Sequence, residues 1–541
     1  MSDIRKLPIG LQSFADLKLK NFIYIDKTEY VSKLVSANKV FFLSRPRRFG
    51  KSLFLSTLKA YFLGKKELFK GLYIEAAEQK RAKVENRDAW VNYPVLHLDF
   101  TAKNYADVKA LNDILNAHLR EWEEEFKIEK TEDAPDGRFR NLIKQIYETT
   151  GKQAVILVDE YDKPLLETMI INEPLNEEYR RILKGFYGVI KSCDEYIRFA
   201  FLTGVTKFSK VSIFSDLNNL RDISLEKNYS GICGITAKEL KEVFKPEIEA
   251  LAEERKLNYE ETLALLKKRY DGYLFHPQGE SVYNPFSLLN AFTKKEIGSY
   301  WFATGTPTFL VRTLQNQKEI CIRDILENAE MDENSLQDYR PDINNPVPIL
   351  FQSGYLTIKD YDERLGLYKL GFPNDEVKYG FLDNLVPAYT SIAKDASGLF
   401  IGNFIRDIEK GNTESFMKRM YTACAGLPYS LASKENVKMR ERDYQIAFYI
   451  IFTLMGQFVE TEVVSSKGRA DCVVHTGDTI YIFEFKLMGP GTPKEAIQQI
   501  KEKGYAEPYK MSGKKIVLIG AVFADGINEE TADTWESCTL F

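Results

Sequence analysis

An α/β fold is predicted for this 541-residue chain from three observations. Short apolar runs alternate with longer helical patterns through the first 240 residues, the signature of a parallel sheet. One of those runs passes into a basic loop, VFFLSRPRRFGKS at 40–52, and a helical pattern follows at once. A second and smaller alternation of strand and helix occupies the residues after 430.

The strands of the first region are expected at 39–44, 94–100, 154–159 and 197–204, with helices at 105–128 and 175–192. From about 241 the pattern changes to charged amphipathic helices with aromatic-rich, hairpin-like pieces between them. Polar stretches at 329–347 and 409–415 read as surface connections. Between them, ILFQSGYLTIKDYDERLGLYKLGFP reads as a helix end and a β-hairpin, the shape of a winged-helix element. A helix at 441–458, strands at 470–475 and 480–487, a helix at 493–505 and a strand at 515–523 complete the order. Three domains follow: 1–240, 241–430 and 431–541.

Composition excludes several classes. A formal charge of −4 leaves no basic field, so any nucleic-acid contact must come from a local patch. The six cysteines have no paired spacing, and the four histidines lie far apart and near no cysteine pair. That fits reduced thiols in a cytoplasmic protein and argues against zinc. The longest apolar run, Ala447 to Met455, is too short to span a bilayer, and the opening residues carry no apolar leader.

Gly50, Lys51 and Ser52 end the basic loop as a phosphate-binding loop ends. Backbone N–H groups at a helix start cradle phosphates, a lysine reaches the outer ones, and a hydroxyl joins the Mg²⁺ shell. Arg47, Arg48, Phe49, Gly50, Lys51 and Ser52 are therefore the expected phosphate-side residues. The first glycine of the usual pattern is replaced by Arg45.

The run Val155–Val158 reads as a strand buried on both faces, and it ends in Asp159 and Glu160. Ligands of open α/β sheets bind at the carboxyl ends of strands. Asp159 is placed to hold Mg²⁺ through water and Glu160 to polarise an attacking water. Asp162 is expected only to cap the helix opened by Lys163 and Pro164. On the next strand Thr203 is the candidate γ-phosphate sensor, against the alternative of a hydroxyl bonded to backbone.

LPIGLQSFADLKLKNFIYIDKTEYVSKL at 7–34, RPRRFGKSLF at 45–54, VDEYDKP at 158–164 and LTGVTKFS at 202–209 together resemble the bacterial AAA-ATPase-like family. These proteins are often paired with a C-terminal nuclease-superfamily domain. The resemblance implies an additional-strand P-loop NTPase that binds ATP, with Lys51 and Ser52 on phosphate and Mg²⁺ and Asp159 and Glu160 as the acidic pair. It also accounts for Arg45, because the family's own loop reads R-P-R-R-F-G-K-S. Asp26, Lys27 and Thr28 belong to the same family pattern; a helix cap is their default reading.

In YIFEFKL the side chains alternate, so Ile482, Glu484 and Lys486 share one face and Phe483 and Phe485 the other. If residues 476–479 form a hairpin loop, His475 pairs with Ile480 and Asp471 falls opposite Glu484. Opposed carboxylates repel, which a divalent cation would offset, with Lys486 beside it to orient a water. This D…E-x-K set resembles the PD-(D/E)XK nuclease superfamily, and GRADCVV…IFEFKL is similar to its branch in the same family. The resemblance implies a restriction-endonuclease-like fold, Asp471, Glu484 and Lys486 as catalytic residues, and Glu441 completing the metal site with Asp471 and Glu484. Gln498 and Gln499 lie where the superfamily often has a polar residue, although Tyr505 comes too late for the usual Q-x-x-x-Y spacing.

The expected protein is thus an ATP-binding ATPase coupled to a Mg²⁺-dependent nuclease-like domain acting on DNA. The alternative is a nucleotide-dependent switch with a silent nuclease fold. Residues 431–541 hold 13 Lys and Arg against 16 Asp and Glu, so DNA would need a local grip such as Lys467 and Arg469, or the middle region.

Overall fold

A computed structural model describes residues 5–101, 104–169, 171–207, 214, 217–302, 310–311, 314, 322–337, 345–425, 437–463, 471–487, 491–523 and 534–540. The chain forms two compact units, residues 1–304 with 326–376 and residues 305–325 with 377–541.

The first unit is built on five parallel strands: β1 (Val40–Ser44), β2 (Val95–Asp99), β3 (Ala154–Asp159), β4 (Ile197–Gly204) and β5 (Arg221–Asp222). Their spatial order is β2-β3-β4-β1-β5. β4 therefore lies between the loop strand and the acidic strand, which is the additional-strand arrangement. β3 is buried at every position, as its unbroken apolar run requires. Helices Val108–Phe126 and Glu173–Ser192 start at Asp107 and Asn172, whose side chains accept the N–H groups of Ala110 and Leu175. A further helix, Pro135–Thr150, lies between the two; its proline start is the signal that a strand-oriented reading passes over.

Beyond the sheet, β6 (Ile235–Thr236) pairs with β7 (Val282–Tyr283). Helices Lys245–Arg255, Tyr259–Tyr270 and Pro285–Lys294 enclose a core that includes Ile248, Leu251, Leu266, Tyr270, Leu288 and Phe292. A three-stranded sheet follows, β8 (Glu330–Asp332), β9 (Thr357–Asp362) and β10 (Leu367–Gly371), in the order β8-β10-β9. Helices Glu333–Gln337 and Val347–Gln352 connect β8 to the β9–β10 hairpin, a winged-helix order. The stretch 329–347, expected as a connection, supplies β8 and the first of these helices. β8 is an edge strand with two of its three residues exposed, so it carries no apolar signature.

The second unit centres on β11 (Glu460–Val463), β12 (Cys472–His475), β13 (Thr479–Leu487), β14 (Lys515–Phe523) and β15 (Trp535–Thr539), in that spatial order. Only β13 and β14 pair in parallel. Helices cover both faces. Phe448 and Phe452 of helix Val437–Met455 meet Phe485 and Phe483 at 4.4 and 5.2 Å between ring centroids. Ile497 and Ile500 of helix Pro493–Glu502 pack with Ile482 on the other side. The predicted alternation of β13 is what divides these two layers.

Candidate functional site

The carboxyl ends of β1, β3 and β4 converge on the loop 45–50. Gly50, with φ 90°, turns the chain into helix Lys51–Phe62 and serves as its N-cap. Arg48 has φ 67° and Glu160 has φ 50°, conformations uncommon away from glycine and concentrated at functional sites.

Arg45 occupies the place of the missing glycine and is only 1% exposed. Its guanidinium donates to the carbonyls of Ser44 and Ser224 at 2.8 Å and of Tyr229 at 3.0 Å, and lies 3.9 Å over the Phe275 ring. Burial lowers its pKa to about 10, which leaves it charged at neutral pH. Arg45 thus braces the loop from behind. Lys51 is buried, and its Nζ donates to the carbonyls of Arg45 at 2.8 Å and Pro46 at 3.0 Å. Burial lowers the Lys51 pKa, opposed by Glu160, Asp159 and Asp162.

A cavity of about 560 Å³ opens here, within the size range of small-molecule sites. Its lining includes Arg47, Arg48, Phe49, Gly50, Lys51, Ser52 and Glu160. Leu11, Ile23, Ile25, Phe244, Phe286 and Leu289 supply apolar lining to the same cavity.

Thr203 Oγ1 donates to Asp159 Oδ1 at 2.7 Å and, more weakly, to the Val158 carbonyl at 3.3 Å. The hydroxyl proposed as a phosphate sensor is therefore spent on orienting Asp159. Burial raises the Glu160 pKa, while Lys51 pulls it down. Asp162 departs from its expected role, because its side chain makes no cap bond to the following helix. Its Oδ2 accepts from the N–H of Val205 at 2.9 Å, the N–H of Thr206 at 2.6 Å and the Thr206 hydroxyl at 2.8 Å. Two unfilled N–H groups past β4 outcompete the helix start for this carboxylate. Arg221, on β5, is held by Glu226 at 2.7 and 2.8 Å. Asp26 caps as expected: it accepts from Thr28 N at 2.9 Å and also from Tyr73 N at 2.7 Å, joining two helix starts.

The second constellation lies on the Ile482 face of β13. His475 pairs with Ile480 and Cys472 with Phe483, so Asp471 reaches the position beside Glu484 that the hairpin count predicts. Asp471 N donates to the Phe483 carbonyl at 3.1 Å, and Asp471 Oδ2 accepts from Phe485 N at 2.8 Å. Glu484 is 5% exposed; Gln499 Nε2 donates to its Oε1, and its buried Oε2 has no hydrogen-bond partner among the described residues. Lys486 Nζ donates to Gln499 Oε1 at 2.5 Å and stands 3.9 Å from Glu484 Oε1. Burial raises Asp471 to about 6, and burial together with Asp471 raises Glu484 to about 7. Two hard oxygen donors and an orphaned buried carboxylate oxygen fit a divalent cation.

Glycine brings the helix close enough. Gly520 pairs with Glu484 across β13 and β14, and a Cβ there would lie 2.3 Å from the Pro493 carbonyl oxygen and 2.9 Å from Ala496 Cβ. The start of helix Pro493–Glu502 rests on this bare backbone, which carries Gln499 over the acids.

A protein of Azotobacter chroococcum mcd 1, named "Uncharacterized protein in vnfD 5'region", is 36% identical over 526 residues, 96% of each chain. The family model described as "Predicted AAA-ATPase" matches residues 8–214, and that of the PD-(D/E)XK nuclease superfamily matches 439–530. The chain belongs to the AAA-ATPase-like family with a C-terminal PD-(D/E)XK domain.

In this AAA-ATPase-like chain the first match takes in both the apolar cavity residues 11–25 and the acidic strand. Sequence reasoning assigned no site role to Leu11, Ile23 or Ile25, since apolar residues near a turn carry no distinguishing chemistry. Gln499, left in doubt by its spacing, sits between Glu484 and Lys486, whereas Gln498 turns outward to Glu502. Tyr505 is buried in the hydrophobic cluster under the helix. The PD-(D/E)XK match includes Glu441; its backbone lies in helix Val437–Met455, and its side chain is outside the described residues, as are Lys467 and Arg469. Among the described residues no helix is long and apolar enough to cross a membrane.

Proposed function

We propose that this protein binds and hydrolyses ATP in its N-terminal unit and cuts DNA through its C-terminal acids. The observation that carries the first half is a single cavity lined by Lys51, Ser52 and Glu160 together with apolar side chains that suit a base, with Asp159 near enough to act on the Lys51 charge. Lys51, now on two loop carbonyls, would serve the outer phosphates, and Ser52 and Asp159 would hold Mg²⁺. Asp159 is oriented by Thr203, and Glu160, beside Lys51, polarises a water.

The second half rests on the buried pair Asp471 and Glu484 with Lys486 alongside. These carboxylates would hold Mg²⁺, which when bound supplies Lewis-acid stabilisation of a phosphodiester and a more acidic water. Gln499 fixes the Glu484 carboxylate and the Lys486 ammonium relative to each other. The Lys486 ammonium would donate a hydrogen bond to a water or a phosphate oxygen.

Nucleotide binding and turnover test the first site against Lys51→Ala and Glu160→Gln. Loss of binding in the former and slow turnover with retained binding in the latter are expected; unchanged turnover in both overturns the assignment. Cleavage of single- and double-stranded DNA in Mg²⁺, with and without ATP, tests the second against Glu484→Ala. Cleavage that survives that substitution overturns the nuclease assignment. Turnover of ATP with no cutting under any condition selects the reading of a nucleotide-dependent switch.

A further inference from the structure

A winged helix that reads DNA presents a polar, basic recognition helix to the major groove. The corresponding helix here, Val347–Gln352, is VPILFQ, and all six of its residues are buried. The hairpin 357–371 carries Lys359, Arg364 and Lys369 against Asp360, Asp362 and Glu363, three charges of each sign. Among its described residues this helix and hairpin show no net basic charge with which to hold a phosphate backbone. Its buried surface is spent on the ATPase core instead.

Three contacts define that docking. Gly354, with φ 89°, lies so close to the loop that a Cβ would be 2.6 Å from the Pro46 ring. Gln352 Oε1 accepts the backbone N–H of Lys207 at 2.9 Å, and its Nε2 donates to the Leu336 carbonyl at 2.6 Å. The Tyr355 ring lies 5.1 Å from that of Trp301 at 58° between planes, and the Trp301 indole Nε1 donates to the Arg47 carbonyl at 3.2 Å. Pro46 and Arg47 belong to the phosphate loop. Lys207 follows β4 by three residues, next to Thr206, which bonds to Asp162. The element touches the two segments that a bound phosphate acts on.

We infer that the winged element is a sensor of the nucleotide phosphates, worked through Lys51, Pro46 and Gly354, rather than a nucleic-acid reader. This inference rests on the nucleotide reading of the cavity. Lys51 has three N–H donors, and two of them are engaged by the carbonyls of Arg45 and Pro46. Outer phosphates compete for the same donors. When they win, the Pro46 carbonyl loses its partner, the 46–47 peptide reorients, and the close packing of Gly354 against the Pro46 ring loosens. Phosphate binding and docking of the element therefore oppose each other through one ammonium. By linkage, weakening the dock tightens nucleotide binding.

Hydrogen exchange on the full chain tests this, with and without Mg·ADP or a non-hydrolysable ATP analogue, beside direct binding of a fluorescent nucleotide. Amides in 346–358 are expected to exchange at least about 5-fold faster on nucleotide binding. Gln352→Ala, whose own amide contacts lie away from the cavity, is expected to bind nucleotide about 3- to 10-fold tighter, and Trp301→Phe to shift the same way. Either variant can be checked for folding by its melting transition, so Gly354→Ala, strained at its φ, is not needed. A purely structural role predicts weaker binding or none of these shifts. Nucleotide that binds with unchanged exchange and unchanged Gln352→Ala affinity overturns the sensor and leaves the ATPase reading standing. Wild-type protein that binds no nucleotide overturns both. Protection of 346–371 by duplex DNA overturns the sensor in favour of a nucleic-acid surface.

Discussion

Replacing Arg45 by glycine would restore the usual phosphate-loop pattern, and the structure predicts that it would damage the protein. The side chain makes three hydrogen bonds from a charged donor to carbonyls, at 2.8, 2.8 and 3.0 Å. Hydrogen bonds to charged groups contribute about 1.5–3 kcal/mol each before the desolvation of the guanidinium is set against them. That desolvation costs several kcal/mol, so the native net is small. The substitution does not recover it, because the carbonyls of Ser224 and Tyr229 stay buried without a donor and the volume over Phe275 empties. Removing one side of a buried charged network costs about 3–5 kcal/mol, and the added freedom of glycine in the unfolded chain adds roughly 0.5–1 kcal/mol. In a unit of this size that lowers the melting temperature on the order of 5 °C. The assay is a thermal melt with parallel nucleotide titration, with Arg45→Lys as an intermediate that keeps the charge but not the three-way geometry. An Arg45→Gly protein that melts with the wild type and binds nucleotide equally well would refute the bracing role.

Gly520→Val should force helix Pro493–Glu502 away from the sheet, costing about 1–3 kcal/mol by overpacking and abolishing cleavage; wild-type melting and cutting would contradict the close-approach argument. Thr203→Val should leave Asp159 without its hydroxyl donor and cut ATP turnover at least about tenfold with little change in nucleotide affinity, read as kcat against KM. Asp471 and Glu484 hold protons to about pH 6 and 7, above the ordinary carboxylate range near 4, so the folded state binds more protons than the unfolded one. Stability of the C-terminal unit without metal should therefore be highest near pH 4 and fall as pH rises to about 7, and Mg²⁺ should restore it at pH 8 but not at pH 5. Melting curves across pH with and without Mg²⁺ check both signs.

Strands β1, β3 and β4 were legible because they are buried along almost their whole length and read as apolar runs, and the edge strand β2 because Val95, Leu96 and Leu98 are buried; all four lie within one residue of their expected bounds. The position of Asp471 beside Glu484 was legible because hairpin pairing is arithmetic once the turn is placed. Edge strands β5, β8, β11 and β15 were not, being short or half exposed and so lacking any periodic signal. Asp162 was misplaced for a different reason. Its partners, Val205 and Thr206, lie on another strand's exit, and local cap chemistry is blind to donors supplied by tertiary contact. Gln499 failed the spacing test because that test counts along one helix to Tyr505, whereas Tyr505 lies beyond the helix end, packs its ring in the cluster below and reaches Gln499 with its hydroxyl.

The two sites are knitted at different ranges along the chain. The acids, Lys486 and Gln499 all fall between residues 471 and 499, within one hairpin and the helix after it. Closing such short loops costs little chain entropy, so this cluster can assemble early and travel as a block between proteins. The nucleotide cavity takes walls from residues 8–27, 47–57, 160–167 and 232–289, so no short fragment contains it. Truncation from the amino end of the first unit, or back past residue 289, removes part of that cavity.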